Sequence, residues 1–214
     1  MELGAAVRTA VTSRYFTDEA VTNDELRAAF DYARFAPQGG NRQPVRWIVV
    51  RDDARRRQLA EWYLGPWSAY YERGRAALAG DESGPRGRVL ARADRFARHL
   101  HEVPVIVVAC AELAAIHPTD SGLDRLSIVG GGSVYPAVQN FLLGCREAGL
   151  GAALTTLLCA REPEVKGLLA IPDGVATAAH IPVGHRARPF PVELDRMPLE
   201  RLVYEDRWGA EAYA

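Results

Sequence analysis

This sequence of 214 residues is short of lysine, of cysteine and of long apolar segments. Lys166 is the single lysine among 26 basic residues, and the formal net charge is −1. Such a balance argues against a nucleic-acid-binding surface built from bulk positive charge and leaves room only for a local basic patch. No window reaches the roughly 18 apolar residues of a membrane span, and the N-terminus lacks the apolar core of a signal peptide. We therefore expect a cytoplasmic protein that binds neither nucleic acid nor membrane.

The scarcity of cysteine argues against two further classes of site. Cys110, Cys145 and Cys159 are odd in number and no pair has CxxC spacing, so neither a disulfide framework nor a zinc site is indicated. Their apolar neighbours predict buried core thiols instead. His99 and His101 are two residues apart, which puts them on different faces of a helix, so they lack metal-ligand spacing. We predict no bound metal.

What the sequence does contain is typical of a soluble globular protein. Hydrophobic residues make up 48% and charged residues 25% of the chain. The length suits one sizeable core, and neither an internal repeat nor a clear domain boundary is visible. We therefore predict a single domain over residues 1–214. Its C-terminal arm, from about residue 186 to 214, has too many prolines for regular structure and is predicted to wrap a surface.

Helical and strand patterns are mixed along the chain and predict an α+β fold. A capping box of Thr22 and Glu25 predicts a helix from Asn23 to about Arg34. The other predicted elements are, in chain order, a strand Val45–Arg51, a helix that begins at Asp52 or Asp53, helical patterns around Trp67–Leu78 and Arg88–His101, a buried strand Val103–Ala111, a long helix from near Ser133 to Gly149 that Ser133 caps, a short strand or strand-like turn Ala152–Leu158, a short helix with Pro163 in its first turn, and a strand Val175–His185.

The loop between the first helix and the first strand is larger than a simple connection needs. The stretch "FAPQGGNRQPVRWIVVRD", from Phe35 to Asp52, contains two glycines, amide side chains, a guanidinium and a fixed proline before the strand. An ordinary helix-to-strand loop needs about 2–6 residues and one glycine cap. We interpret the excess as a sign of function.

This loop is one of several motifs whose order and spacing resemble a known family. The segments "SRYFTDEAVTNDEL", "APQGGNRQPVRWIVVRD", "AVQNFLLGCREAGLGAALTT", "IPVGHRARP" and "LDRMPLERLV" look like successive landmarks of the nitroreductase family of FMN-dependent oxidoreductases. The resemblance runs from about Val11 to Arg201. It implies a three-layer sandwich, with a mixed, mainly antiparallel sheet flanked by helices. It also implies a homodimer, with the long central helix at the interface and two FMN sites built from both subunits.

The resemblance places Thr12, Ser13 and Arg14 along the phosphate, ribityl chain and ring edge of FMN. It places Arg196, within "LDRMP", at the phosphate, for which arginine is a suitable ligand. Arg14 is also our candidate for a positive charge near N1 and O2 of the reduced ring. The alternative for Arg14 is a solvated surface arginine.

The chain departs from the family just before this segment. Many members have two basic residues there, whereas this sequence has Ala10 and Val11. Arg8 is the nearest substitute but is displaced, and Arg186 or Arg188 are further candidates. Phosphate binding is therefore expected to depend more on Arg196 and Arg14, or on an arginine such as Arg186 or Arg188.

The loop residues Pro37, Gln38, Gly39 and Asn41 match the family at the polar edge of the flavin ring. The Asn41 amide offers both a donor and an acceptor, and the glycines let backbone N–H groups approach closely. The alternative for Asn41 is a loop residue that caps its own turn.

The residues Leu154, Thr155, Thr156 and Leu157 fall where the family passes a strand-like turn beside one face of the ring. A main-chain N–H or a threonine hydroxyl near N5 would stabilise the reduced flavin. The alternative is a plain strand with its threonines on the polar face.

Aromatic residues are dense in the stretch "YLGPWSAYYERG". We predict that Trp67, Tyr70 and Tyr71 lie on the substrate side of the flavin, since aromatic side chains bring a large contact area to flat ligands. The alternative is a core or dimer contact at helical spacing.

Together these residues predict an NAD(P)H-dependent flavin oxidoreductase. NADPH or NADH would reduce FMN, and a nitroaromatic, quinone-like or other electron-poor small molecule would then accept the electrons by a ping-pong mechanism. No protein residue is predicted to be catalytic, because flavin N5 carries the chemistry. Two alternatives stay open: a specialised relative that cleaves flavin, removes halogens reductively or dehydrogenates a biosynthetic metabolite, and a non-catalytic flavin-binding dimer. The sequence also leaves open the choice between FMN and a deazaflavin.

Overall fold

The computed structural model describes residues 1–213. Its helices are α1 Leu3–Thr9, α2 Asn23–Ala33, α3 Asp53–Ala76, α4 Pro85–Arg98, α5 Tyr135–Glu147 and α6 Glu162–Leu169. Its strands are β1 Val45–Val50, β2 Val105–Glu112, β3 Leu150–Ala152 and β4 Val175–His185. None of the helices described over this range is long and apolar enough to cross a membrane.

The strands form an antiparallel sheet in the order β1-β2-β4-β3. Trp47 on β1 lies opposite Ala109 on β2, and Val107 on β2 lies opposite Ile181 on β4. β2 is buried along almost its whole length because it lies inside the sheet with helices on both faces. The buried strand that the run Val103–Ala111 predicts is therefore confirmed.

Each face of the sheet carries its own hydrophobic cluster, because successive strand residues point to opposite faces. On one face Ile106 and Val108 pack with buried residues of α3 and α4. On the other face Val105 and Val107 pack with buried residues of α2 and α5. Helices therefore cover both sides of a central sheet, and the predicted three-layer α+β fold is confirmed.

Local signals account for two helix starts. Thr22 Oγ1 accepts a hydrogen bond from the Glu25 N–H at 3.2 Å, and Glu25 Oε2 accepts one from the Thr22 N–H at 2.8 Å. This capping box begins α2 at the predicted residue. Asp52 Oδ1 accepts a hydrogen bond from the Arg55 N–H at 2.9 Å and caps α3.

The helical patterns predicted on either side of Pro66 belong to one helix. α3 continues from Asp53 to Ala76, although Pro66 removes a backbone donor from its interior. Tyr63 and Trp67 stack on the buried face of α3 with ring centroids 6.1 Å apart. This packing extends across the proline and favours a single continuous helix.

The prediction that Ser133 caps the long helix is wrong. α5 begins at Tyr135, and Val134 occupies the N-cap position without a side-chain hydrogen bond. Ser133 Oγ instead accepts a hydrogen bond from the Gly39 N–H at 3.0 Å. The hydroxyl has a partner 94 residues away along the chain, which local spacing does not indicate.

The segment Ala152–Leu158, predicted as a short strand or a strand-like turn, is a strand-like turn. β3 ends at Ala152. Beyond it, Thr155 and His180 exchange both backbone hydrogen bonds, at 3.0 and 2.9 Å, in a single bridge beside β4. A short 3₁₀ turn then runs from Leu157 to Arg161.

The first helix, the C-terminal region and the cysteines complete the comparison with the sequence. α1 has no counterpart among the predicted elements, and the C-terminal region contains a 3₁₀ turn at Leu199–Arg201. Cys110 and Cys145 are buried, as predicted, but Cys159 is only partly buried.

Candidate active site

A cavity of about 660 Å³ opens between α3, α4 and two backbone segments near the end of β3. Eight of the predicted site residues line it. They are Thr12, Arg14, Trp67, Tyr70, Leu154, Thr155, Thr156 and Leu157. The fold therefore gathers three sequence-distant parts of the predicted site around one concavity.

The N-terminal segment that lines the cavity, Thr12 to Arg14, is held against the edge of the sheet. The Ser13 N–H donates to the Ala152 carbonyl at 2.9 Å, and Thr12 forms a parallel bridge with Ala152. This pairing extends the sheet beyond β3 by one short segment. Arg14 follows directly and lines the cavity.

Ser13 itself does not line the cavity. Its side chain is buried, and its Oγ accepts a hydrogen bond from Arg186 Nη1. A Cβ added at Gly151 would lie 2.5 Å from Arg186 Cγ and 2.6 Å from Ser13 Oγ. A glycine is therefore required at position 151 for this close approach.

Arg14 is a partly buried cation without a carboxylate partner in the described chain. Burial lowers the pKa of its guanidinium, Tyr63 raises it, and Arg92 lowers it again. The group stays charged because guanidinium pKa values lie far above neutral pH. No carboxylate within residues 1–213 forms an ion pair with this charge, so the site favours an anionic ligand.

The segment Ala153–Leu157 presents polar groups to the same space. Thr155 Oγ1 accepts a hydrogen bond from the Leu157 N–H at 3.3 Å. The Thr156 N–H finds no protein acceptor among residues 1–213. This turn therefore leaves a backbone donor for a ligand beside Arg14.

Aromatic side chains of α3 form the adjacent wall. Trp67 lies between Tyr63 and Tyr70, with ring centroids 6.1 and 5.5 Å away. Trp67 Nε1 donates to Asp94 Oδ1 on α4 at 2.8 Å, which fixes the indole. The Tyr71 ring lies 6.2 Å from the Trp67 ring, centroid to centroid, and does not line the cavity.

Tyr63 lines the cavity although the sequence analysis did not select it. Burial raises the pKa of its phenol, whereas the neighbouring Thr155 side chain and the charge of Arg14 lower it. Its position four residues before Trp67 places both on one helical face. The four-residue spacing identifies Tyr63 as a neighbour of Trp67 only if the helix continues through Pro66.

Residues on α4 were also missed. This helix contributes Pro85, Arg86, Val89 and Phe96 to the cavity lining. None of them belongs to a motif that the sequence analysis selected. Nothing local indicates that this helix packs against α3 at the site, because the contact depends on the tertiary fold.

The loop Pro37–Asn41 does not reach this cavity. Gln38 lines a different cavity of about 400 Å³, and Gly39 bonds to Ser133. Asn41 has a φ of 52° and its Oδ1 accepts a hydrogen bond from Gln43 Nε2 at 3.3 Å. Within this chain the Asn41 amide is therefore used in its own turn, as in the alternative interpretation of Asn41, whereas Gln38 Oε1 is buried without a hydrogen-bond partner among residues 1–213.

Arg196 also lies outside the lining residues. It is exposed, and its Nη1 donates to the Asp195 carbonyl at 2.7 Å. The segment before it runs beside the end of α1, where the Leu194 N–H donates to the Arg8 carbonyl at 2.9 Å and Glu193 pairs with Arg8 at 3.5 Å.

The two other arginine candidates have partners of their own. Arg186 donates to Ser13 and lies over the Phe190 ring at 4.6 Å. Arg188 lies over the Tyr15 ring at 3.8 Å. Neither lines the cavity, so the positive charges at its surface come from elsewhere.

A second concavity in the described part of the chain lacks this combination of groups. A larger groove, of about 840 Å³, runs along β1 and carries none of the predicted site residues. Within residues 1–213 no three His, Cys, Asp or Glu side chains are grouped so as to hold a metal.

Comparisons with known proteins agree with this architecture. A provisionally named NADH dehydrogenase/NAD(P)H nitroreductase of Streptomyces griseus is 28% identical over 149 residues, which is 70% of this chain and 68% of the relative. A provisionally named nitroreductase from Desulfovibrio desulfuricans, solved in complex with FMN, has a TM-score of 0.67 and 23% identity, over 97% of this chain and 99% of that one.

A third likeness is to an oxidized iodotyrosine deiodinase bound to FMN and 3-iodo-L-tyrosine. Its TM-score is 0.71 at 24% identity, over 92% of this chain and 96% of that one. These structural likenesses show a shared fold. The sequence model of the Nitroreductase family matches residues 7–185, which is most of the chain. The protein therefore belongs to the nitroreductase family.

Proposed function

We propose that this protein is an FMN-dependent oxidoreductase that uses NADPH or NADH to reduce a nitroaromatic, quinone-like or other electron-poor small molecule. The observation that carries the proposal is Arg14, a partly buried cation without a carboxylate partner in residues 1–213, at a cavity walled by aromatic rings. Family membership and the FMN found in two solved proteins of the same fold support the choice of cofactor.

The residues that line the cavity fit the ring of FMN. The cavity volume of about 660 Å³ lies within the roughly 300–1,000 Å³ that is usual for small-molecule sites. Trp67 and Tyr70 suit a flat ring system. Arg14 suits a negative charge, and the Thr156 N–H is available to an acceptor atom of the ring.

FMN, when bound, supplies hydride acceptance and donation at its N5 atom. Arg14 would bind and stabilise negative charge on the ring, since a fixed cation in a partly desolvated site needs no reorganisation. The turn Ala153–Leu157 would orient the ring through its backbone. The α3 aromatic side chains would exclude water from one side and position flat reactants. In the overall reaction one NAD(P)H and one proton convert a quinone to a hydroquinone.

One shared cavity supports a ping-pong order. The donor and the acceptor would occupy the same aromatic-walled space in turn, so NAD(P)⁺ leaves before the acceptor binds. No protein acid or base has to be catalytic in this scheme, and protons would come from solvent.

We further propose that the protein is a homodimer of single-domain subunits. The loop Pro37–Asn41 and Arg196 match flavin-binding positions of the family but lie outside the cavity of their own chain. A second copy would supply the loop, as the resemblance implies for a site built from both subunits. Phe35, which lies beside this loop and is 71% exposed, would be covered by the same second copy.

The absorption spectrum of the purified protein tests the cofactor and the reductant together. We expect a flavin spectrum, as purified or after FMN is added, that bleaches under anaerobic NADPH or NADH and returns with 1,4-benzoquinone. A flavin spectrum that neither nucleotide bleaches would contradict the proposed reaction and leave a specialised or non-catalytic relative. A protein that stays colourless in excess FMN would contradict the cofactor itself.

A further inference from the structure

The charged side chains that line the candidate active site are all positive. Arg14 lines it from the N-terminal segment and Arg86 from the first turn of α4, while no aspartate or glutamate within residues 1–213 lines it. A cleft with charges of one sign concentrates its field inside and attracts ligands of opposite sign. Because Arg14 is already assigned to the flavin, Arg86 is the charge available to a second ligand.

Arg86 is exposed and forms neither an ion pair nor a side-chain hydrogen bond within the described chain. Other arginines of the same helical hairpin do have partners: Arg75 pairs with Glu82 at 3.2 Å, and Arg98 pairs with Asp94 at 2.8 Å. A planar guanidinium matches the geometry of a carboxylate and binds it with two parallel hydrogen bonds. The free guanidinium of Arg86 at the cavity therefore suits an anionic group of a bound molecule.

The remaining surface near Arg86 suits an apolar, flat body. Tyr70, Val89 and Leu154 line the cavity and are 49%, 51% and 39% exposed. Large apolar groups left open in a concavity gain free energy when a ligand covers them. Trp67 lies 5.5 Å from the Tyr70 ring and is held by its bond to Asp94, so this wall is formed before a ligand arrives.

We propose that the electron acceptor is an aromatic carboxylate, whose ring lies among Tyr70, Val89 and Leu154 and whose carboxylate binds Arg86. This inference rests on the proposed function, because it names the class of molecule that is reduced there. With a nitro-substituted acceptor, one NAD(P)H and one proton convert the nitro group to a nitroso group and release water. Arg86 takes no part in this electron transfer and acts as a specificity determinant.

A pair of acceptors that differ in charge tests the inference. In 4-nitrobenzoate the carboxylate is free, whereas its methyl ester has nearly the same shape and no charge. Both are titrated calorimetrically into the oxidised FMN-loaded protein without a reductant, which measures binding apart from turnover. We expect the acid to bind about tenfold more tightly than the ester, and raised salt to weaken the acid alone.

Two variants locate the effect. Arg86→Gln should weaken binding of 4-nitrobenzoate about tenfold and leave the ester unchanged. Arg73→Gln is the matched control, because Arg73 is an exposed arginine of α3 in the same hairpin that does not line the cavity. It removes the same charge and should leave both affinities unchanged.

Three results would overturn the inference: equal binding of acid and ester by the unmodified protein, equal weakening of both by Arg86→Gln, or an effect of Arg86→Gln on the KM of NADPH or NADH alone. The last result would assign Arg86 to the reductant. Failure of the proposed function looks different, since the flavin would then not bleach with either nucleotide. If the flavin bleaches and the ester is reduced without preference for the acid, only the present inference fails.

Discussion

The Gly39 N–H donates a 3.0 Å hydrogen bond to Ser133 Oγ and so joins the loop before β1 to the turn before α5. The loop carries Asn41, and α5 packs on the sheet face that carries Val105 and Val107. The backbone of the motif richest in amides is thus fixed by a residue that the sequence suggested as a helix cap.

Replacing Ser133 with alanine should therefore destabilise the protein without disturbing the start of α5. The Gly39 N–H loses its protein acceptor, and a hydrogen bond of this kind contributes about 0.5–1.5 kcal/mol to stability. Urea unfolding followed by circular dichroism measures the loss. Ser133→Thr keeps the hydroxyl and should retain most of the stability. An unchanged unfolding midpoint in Ser133→Ala would show that solvent replaces this contact at no cost.

Replacing Arg14 with glutamine should weaken FMN binding by at least tenfold. The substitution removes a cation that has no carboxylate partner in the described chain, and hydrogen bonds to charged groups contribute about 1.5–3 kcal/mol. Quenching of FMN fluorescence during titration of the apoprotein gives the dissociation constant. Arg73→Gln, which removes an arginine away from the cavity, should bind FMN normally. Equal affinity in Arg14→Gln and the unmodified protein would remove Arg14 from the site.

Gly151→Ala should lower the melting temperature because the new methyl group has no room. It would lie 2.5 Å from Arg186 Cγ and 2.6 Å from Ser13 Oγ, and overpacking of this kind costs about 1–3 kcal/mol. Gly167→Ala on α6 is the control, since nothing lies within 4 Å of its added Cβ. Alanine there should stabilise the helix by up to about 1 kcal/mol. A melting temperature in Gly151→Ala as high as in the control would contradict the close approach.

Acid should destabilise the protein partly through His180. This side chain is buried, neither ring nitrogen has a hydrogen-bond partner among residues 1–213, and burial lowers its pKa to about 4. Between about pH 6.5 and 4 the unfolded chain binds a proton that the folded protein does not, so the free energy of unfolding falls as the pH falls. Across that window the lowered pKa of His180 corresponds to a loss of about 3 kcal/mol in the free energy of unfolding.

Urea unfolding at several pH values between 7 and 4 measures this loss. His180→Leu removes the titrating group and should show a correspondingly smaller loss of stability than the unmodified protein. The difference between the two proteins isolates His180 from the carboxylates, which titrate in both. Identical pH dependence would mean that His180 is protonated in the folded state as easily as in the unfolded chain.

Interactions between near neighbours in sequence explain what could be predicted early. The capping box of Thr22 and Glu25 is complete within four residues, and Asp52 caps α3 from one residue outside it. The apolar run that forms β2 predicts a strand covered on both faces, and it is one. Motif order predicted the family, and the fold then brought Thr12, Arg14 and the turn after β3 to one cavity.

Predictions failed or stayed incomplete where a distant partner competes with a local one. Ser133 bonds to Gly39 instead of capping α5, because the fold brings a backbone donor to it from another loop. Tyr63 joins the cavity because α3 continues through Pro66 and stacks its aromatic face in the core. Arg86 lines the cavity because α4 packs against α3, and no residue pattern within α4 predicts that contact.

The sequence by itself determined the family, the α+β class and the residue types available for a flavin, because these depend on local propensity, hydrophobic pattern and motif order. The tertiary structure alone decided which of those residues share a cavity. It grouped Arg14 with Trp67 and the turn after β3, and it held the loop of Asn41 elsewhere through Ser133. The physical reason is that burial, close approach and the pairing of charges depend on the distances between residues that are far apart in sequence. Only the packed chain sets those distances.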